Sequence, residues 1–318
     1  IAAKKAMAPD GLFWLASMSK PLTATVLMML MDEGKVELDA PVARWLPEFA
    51  QMQVEVTSGN KTSLKNAEKP ITVREVLAHT SGLPFVIPEE NGKLDVLPIA
   101  ESVSRSAKQP LSFEPGTGWS YSNCGINIAG RIIEIIAGKS YEEVMRERLF
   151  MPLGMIDTTS FPNAAQIARL ARSYRPNTAG DALEEIPIRF LTYPLDAATR
   201  FACPGGGFFS TAQDLGRYAR MLLNGGELDG RRYISIAALK QMTTVQTGAL
   251  TVAYGLGFAL PGNDYGHGGA YNTDMWFDTM HELATIFLVQ HDGFGAGADG
   301  DDILTTFKQA AVVAYGRR

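Results

Sequence analysis

A serine three residues ahead of a lysine occurs twice, at Ser17-Met18-Ser19-Lys20 and at Ser58-Gly59-Asn60-Lys61. On a helix that spacing puts both side chains on one face. A lysine withdrawn from water gives up its proton more readily and can then accept one from a neighbouring hydroxyl. A pattern of two fixed letters arises by chance about once in a chain of this length, so context must separate the pair. The second lies in Gln51–Pro70, a polar stretch rich in Lys, Asn, Ser and Thr that reads as an exposed loop or insertion. A lysine there stays solvated and charged. The first opens the apolar stretch Gly11–Met31, which ends at Asp32-Glu33-Gly34. Pro21 is tolerated only near a helix start, which places Ser17 at the N-terminus. There the helix dipole favours a developing alkoxide. The residues alone leave a second role open, in which Ser17 is only a helix N-cap.

Two further patterns carry polar chemistry. Tyr121-Ser122-Asn123 follows the turn Glu114-Pro115-Gly116-Thr117-Gly118 and precedes a helix. A tyrosine near a lysine can relay a proton, and an amide can hold a carbonyl or the lysine itself; an ordinary loop with one anchored tyrosine explains it equally. His267-Gly268-Gly269 enters an expected strand, and glycines in a strand let a substrate backbone approach closely. A hairpin turn that happens to contain a histidine is the plainer alternative. Gly295-Ala296-Gly297-Ala298-Asp299-Gly300 fits the dinucleotide fingerprint, but too little chain follows for the second strand and its ribose-binding acid. It reads as a connecting loop. No G-x-S-x-G elbow occurs. His79, His267, His281 and His291 make no metal-ligand pattern, and Cys124 and Cys203 read as free buried thiols. Neither a metal nor a cofactor is implied.

These residues need a scaffold. Leu22, Val26, Met29 and Leu30 follow helical spacing while Ala24, Leu27 and Met28 fill the other faces, so the helix after Ser17 should be buried all round. Ile71–Ala78 should form a short helix before the turn His79-Thr80-Ser81-Gly82. Asn91–Leu111 should be helical in part. Gly125–Ala137 should be a helix ended by Gly138, and Ser140 with Glu143 should cap the next, to about Phe150. Phe161–Pro204 reads as irregular, and Ser210 or Thr211 should cap a helix to Leu223. Tyr254–Leu260, Gly268–Phe277 and Leu283–Gln290 read as strands, and Ile303–Tyr315 as a terminal helix. The expected class is α/β (α+β), an antiparallel sheet flanked by helices plus a mainly helical region. Residues 1–35 and 225–318 would form the α/β part and 36–224 the inserted helical part, with boundaries good to about 15 residues.

Composition bounds the function. The chain has 318 residues, a net charge of −5 and 46% hydrophobic residues, the profile of a globular protein. The acidic balance without basic clusters argues against a nucleic-acid partner. No apolar run approaches a membrane span, and Ile1–Asp10 lacks the apolar centre of a signal peptide.

The order Ser-x-x-Lys, Tyr-x-Asn and a basic residue followed by glycine resembles the penicillin-recognising serine hydrolases. The nearest likeness is to class C β-lactamases, D-aminopeptidases and β-lactamase-like carboxylesterases. It extends to His79-Thr80-Ser81-Gly82-Leu83-Pro84, Pro152-Leu153-Gly154-Met155 and Phe209-Ser210-Thr211. The resemblance implies the β-lactamase/penicillin-binding-protein fold. It implies Ser17 as nucleophile, Lys20 as its activator and Tyr121 as general base and acid. It makes Asn123, His267, Gly268 and Gly269 substrate-binding, and the backbone N–H groups of Ser17 and Ala270 the oxyanion hole. Two departures matter. Histidine stands where many β-lactamases carry lysine, a change from a permanent cation to a group that switches below pH 7. Sixteen residues precede Ser17 where the family usually has several dozen; were those strands absent, a sheet edge would be uncovered and the protein less stable or oligomeric.

The function expected is acyl transfer through a Ser17 acyl-enzyme, as an esterase or a D-amino-acid amidase or peptidase. A class C-type β-lactamase and a non-catalytic penicillin-binding sensor are the alternatives. The partner would be a small ester, amide or β-lactam, and family resemblance leans towards an exported protein.

Overall fold

The structure, a computed structural model, describes residues 6–59, 61–293 and 300–316. A two-residue strand, β1 (Phe13–Trp14), leads through a 3-10 turn (Ala16–Met18) into α1 (Ser19–Asp32). Every residue of α1 from Ser19 to Leu30 is buried, as its all-round apolar pattern requires. Its buried hydroxyls are satisfied: Thr23 lies 2.6 Å from the Tyr141 hydroxyl and Thr25 lies 2.8 Å from that of Tyr218.

Gln51–Pro70 is not a loop. It contains an antiparallel hairpin of β2 (Gln53–Ser58) and β3 (Lys61–Asn66). Nearly all of it is exposed; with both faces wet, the usual alternation of apolar and polar residues has no core to report. Then come α2 (Val73–Leu77), started by a Thr72–Glu75 capping box, and α3 (Ile99–Ser106). The next helix, α4 (Asn123–Ala137), is capped by Ser122 and closed by Gly138. Ser140 and Glu143 form the expected capping box for α5 (Tyr141–Met145). That helix widens into a π turn (Arg146–Phe150) and finishes as α6 (Met151–Leu153).

Phe161–Pro204 holds more structure than expected: α7 (Ala164–Ile167) and a hairpin of β4 (Ser173–Pro176) with β5 (Leu183–Ile186). Asp95 and Arg200 form an ion pair at 2.7 Å with both side chains almost wholly buried. Asp95 also accepts the Thr192 N–H and hydroxyl, which ties two irregular segments together. Next, β6 (Phe209–Ser210) pairs with β1, Trp14 opposite Phe209. The helix α8 (Ala212–Leu223) is capped by Thr211. A small hairpin, β7 (Glu227–Leu228) with β8 (Arg231–Arg232), precedes α9 (Ile236–Met242).

The late strands differ from expectation. Tyr254–Leu260 is a turn-rich connection held by isolated bridges between Tyr254 and Ala259 and between Ala259 and Gly266. Gly268–Phe277 is not one strand: β9 (Tyr265–Gly268) ends at Gly268, a turn begins at Gly269, and β10 (Asp274–Asp278) starts only at Asp274. With β11 (Leu283–Phe287) they make an antiparallel sheet in the order β11-β10-β9. His267 pairs with Met275, so the two share a face. Met275 and Phe277 are buried in the core. Asp274 and Trp276 point to the other face, where Lys308 of α10 (Gly300–Tyr315) meets both. Alternation along β10 thus turns His267 inward, towards α1. Gly295–Asp299, expected as a connecting loop, lie outside the described residues.

Cys124 and Cys203 are free and buried. No helix among the described residues is long and apolar enough to cross a membrane.

Candidate active site

Ser17 occupies the 3-10 turn immediately before α1, and the residue preceding α1 is Met18, without a side-chain cap bond. Ser17 is therefore not the helix N-cap. The residue before it, Ala16, has φ of 48°, a left-handed conformation rarely taken by a residue with a β-carbon. Such strain costs on the order of 1–3 kcal/mol and persists where the surroundings hold it. Here those surroundings are close-packed. The Leu15 N–H donates to Phe208 O, the Trp14 indole donates to Gly206 O, and the Thr273 hydroxyl donates to Leu15 O.

Lys20, one turn on, is fully buried. Its Nζ donates to Asn123 Oδ1 at 2.7 Å and to Gly205 O at 2.6 Å, and lies 3.2 Å from Ser17 Oγ. It also sits 4.5 Å from the centre of the Tyr121 ring. Burial pulls its pKa from the ordinary lysine value down to about 7. At that value a large fraction is neutral amine, with two hydrogens and one lone pair. Two fixed acceptors take the hydrogens, and the lone pair is left for Ser17. The expected face-sharing of Ser17 and Lys20 is realised, and the lysine is poised to remove the serine proton. The other serine-lysine pair does not match it: Ser58 and Lys61 are exposed on the β2–β3 hairpin, and Asn60 lies outside the described residues.

Tyr121 and Asn123 flank the N-cap of α4. Ser122 Oγ accepts the Gly125 N–H and donates to Pro84 O, and the Asn123 N–H donates to Phe85 O. This fixes the segment against the loop after α2. Burial pushes the Tyr121 phenol well above its usual pKa, with the Ser17 side chain pulling partly against that shift. Tyr121 is thus a neutral phenol that can pass on or donate a proton. Asn123 Oδ1 is committed to Lys20, leaving its amide N–H groups as donors.

His267 is engaged on both nitrogens. Nδ1 lies 2.7 Å from Gly268 O, a group that can only accept, so Nδ1 carries the proton. Nε2 is then an acceptor, 3.0 Å from the Tyr254 hydroxyl and 3.3 Å from that of Tyr121. Burial first, and the Lys20 charge second, lower the His267 pKa to about 3. The sequence-based expectation of a histidine switching just below pH 7 is corrected: this imidazole is neutral across the physiological range.

Gly269 carries the β9–β10 turn past the Ser17 turn. Its N–H donates to Thr273 O, and a β-carbon there would lie 2.4 Å from Leu15 O and 2.1 Å from Thr273 Oγ1. Only glycine fits this approach, and Ala270 is the next residue in the β9–β10 turn. Gly268 and Ala270 are exposed while Ser17 and Tyr121 are half-buried, so the cluster opens to solvent on this side.

Three contributors escape sequence reasoning: Gly205, whose carbonyl holds Lys20; Tyr254, which holds His267; and His79, whose ring centre is 4.5 Å from that of Tyr121. No motif marks Gly205 or Tyr254, and their roles arise only from folding. His79 lies in a segment noted for its family likeness, without a role.

The profile of the family described as Beta-lactamase matches residues 1–308. Penicillin-binding protein 4 of Amycolatopsis lactamdurans is 34% identical over 278 residues, 83% of this chain and 68% of that protein. Esterase EstB of Burkholderia gladioli is 35% identical over 168 residues, 49% of this chain and 40% of that protein. Among solved structures, simvastatin synthase (LovD) from Aspergillus terreus superposes with a TM-score of 0.79 at 23% identity, covering 97% of this chain and 85% of that one. That likeness shows the fold. The expected β-lactamase/penicillin-binding-protein architecture is the one found, and the chain belongs to the beta-lactamase family of serine hydrolases.

Proposed function

We propose that the protein hydrolyses carboxylic esters whose acyl part carries no carboxylate, through an ester on Ser17. Neutral Lys20 takes the hydroxyl proton as Ser17 Oγ bonds to the substrate carbonyl carbon. The oxyanion is received by the N–H groups of Ser17 and Ala270. Donors of this kind are typically worth about 3–4 kcal/mol of barrier each. On collapse the alcohol leaves with the proton held by Lys20, delivered through the Tyr121 phenol. Water then attacks the Ser17 ester and loses a proton to the same pair, and the acid leaves with Ser17 restored. Asn123 offers its amide N–H to a carbonyl of the acyl side chain in substrates that carry one. Tyr121 serves as relay and acid rather than as the initial base, since burial disfavours its phenolate. The reaction is taken to occur between a sheet-bearing part, 1–35 and 225–318, and a mainly helical part, 36–224.

The observation that carries the substrate class is the double engagement of His267. With Nδ1 on Gly268 O and Nε2 facing Tyr254, it is neutral and offers no cation to a carboxylate. β-Lactams and peptide C-termini bear a carboxylate, so they fit this site less well than a neutral ester. The partial match to a protein named as an esterase points the same way.

Hydrolysis of p-nitrophenyl butyrate, p-nitrophenyl hemisuccinate and a chromogenic cephalosporin tests this. The expected result is kcat/KM for the butyrate at least about tenfold above the other two, about 1.4 kcal/mol of discrimination. Preference for either carboxylate-bearing substrate would contradict it. A lasting cephalosporin adduct with no ester turnover would favour the sensor alternative.

A further inference from the structure

His79 follows α2 directly, is wholly buried and has φ of 61°, a conformation histidine and asparagine tolerate better than most residues. It grips the chain on both sides of Tyr121. Its carbonyl accepts the Ser120 N–H at 3.0 Å, and its ring Nδ1 accepts the Ser122 N–H at 3.2 Å. Between these points its ring lies against Tyr121, with centres 4.5 Å apart, and against Tyr254 at 4.9 Å.

The second ring nitrogen makes this arrangement costly. A neutral ring that accepts at Nδ1 carries its hydrogen on Nε2. Burial, with Lys20 and His267 adding to it, keeps the ring neutral. Among the described residues Nε2 has no hydrogen-bond partner and is enclosed by Trp119, Tyr121 and Tyr254. A leucine would remove that unsatisfied donor, but it would leave the Ser122 N–H without an acceptor.

We propose that His79 is a positioning residue: its Nδ1 clamps the Ser122 amide and its ring backs Tyr121, holding the phenol in line with Ser17 and His267. The inference rests on the Ser17 mechanism proposed above. The His79 carbonyl contact survives any substitution, so side-chain variants isolate the Nδ1 clamp and the ring contact. Asparagine places an oxygen where Nδ1 stands and suits the positive φ. Glutamine reaches instead towards the Nε2 position and offers no acceptor at Nδ1.

The test measures kcat and KM for p-nitrophenyl butyrate in the wild type and in His79→Asn, His79→Gln, His79→Ala and Ser17→Ala, with thermal melts of each. Small displacements of catalytic groups cost up to about 100-fold. His79→Ala and His79→Gln should therefore lose about 10–100-fold in kcat with KM little changed, while His79→Asn should retain most of kcat. If the alanine variant does not fold, the Asn and Gln pair decides. Equal kcat in His79→Asn and His79→Gln, or a loss confined to KM or melting temperature, would overturn the clamp. Turnover persisting in Ser17→Ala would overturn the Ser17 mechanism instead, whatever His79 does.

Discussion

Lys20 Nζ and Asn123 Oδ1 are 2.7 Å apart although 103 positions separate them in the chain. This contact joins the start of α1 to the start of α4. It does two things at once: it takes one hydrogen of the buried amine, and it leaves the asparagine amide N–H groups as donors. With Gly205 O taking a second hydrogen, the lone pair of neutral Lys20 is directed to Ser17. The burial that lowers the lysine pKa and the acceptors that orient it come from different elements, so neither works unless the fold is complete.

The pH profile follows from the direction of that shift. A base must be unprotonated, and Lys20 loses its proton near pH 7 instead of near 10.5. Ester kcat/KM should rise with pH through about 7 and then level off. His267, already neutral above about 3, should add no second inflection between pH 5 and 9. A rise centred near pH 10, or a bell centred between 6 and 7 that disappears in His267→Gln, would contradict these assignments.

Gly269→Ala should damage the site more than the fold. The added β-carbon meets Leu15 O at 2.4 Å and must push the turn holding Ser17. A loss of kcat of about tenfold or more is expected, with the folded state retained. Gly216 in α8 is the comparison, because a β-carbon there meets nothing within 4 Å. Gly216→Ala should leave kcat unchanged and stabilise the protein by about 0.5–1 kcal/mol, seen as a higher denaturation midpoint. Equal kcat in both variants would remove the argument that Gly269 is a close-approach glycine.

Asp95→Ala should be among the more destabilising single substitutions. It strips the partner from Arg200, whose side chain is 1% exposed, and leaves the Thr192 N–H without its acceptor. Breaking a buried pair in this way costs about 3–5 kcal/mol. Urea unfolding measures it, and a loss below about 1 kcal/mol would mean that the surroundings relax to resolvate the arginine.

The sequence carried the site's local pieces because each is written in adjacent residues. The Ser17–Lys20 spacing, the Ser140–Glu143 box and the all-round apolar α1 are short-range patterns. The elements that misled are those whose patterns report burial. The β2–β3 hairpin is wet on both faces, so its strands read as a loop. The turn that begins at Gly269 runs straight into the apolar middle of β10, so turn and strand read as one element. Gly205, Tyr254 and the side-chain role of His79 depend on contacts between remote segments, and no local spacing encodes them. The pKa of His267 belongs to the same class: the residue was legible, but its burial between Tyr121 and Tyr254 was not.

The central claim is that Ser17 is the nucleophile of an ester hydrolase. Hydrolysis of p-nitrophenyl butyrate by the wild type and by Ser17→Ala, side by side and with both shown to be folded, tests it most directly. The account predicts steady turnover by the wild type and, in the variant, a loss of at least about 10³-fold. Turnover retained in Ser17→Ala, or none in the folded wild type, would contradict it.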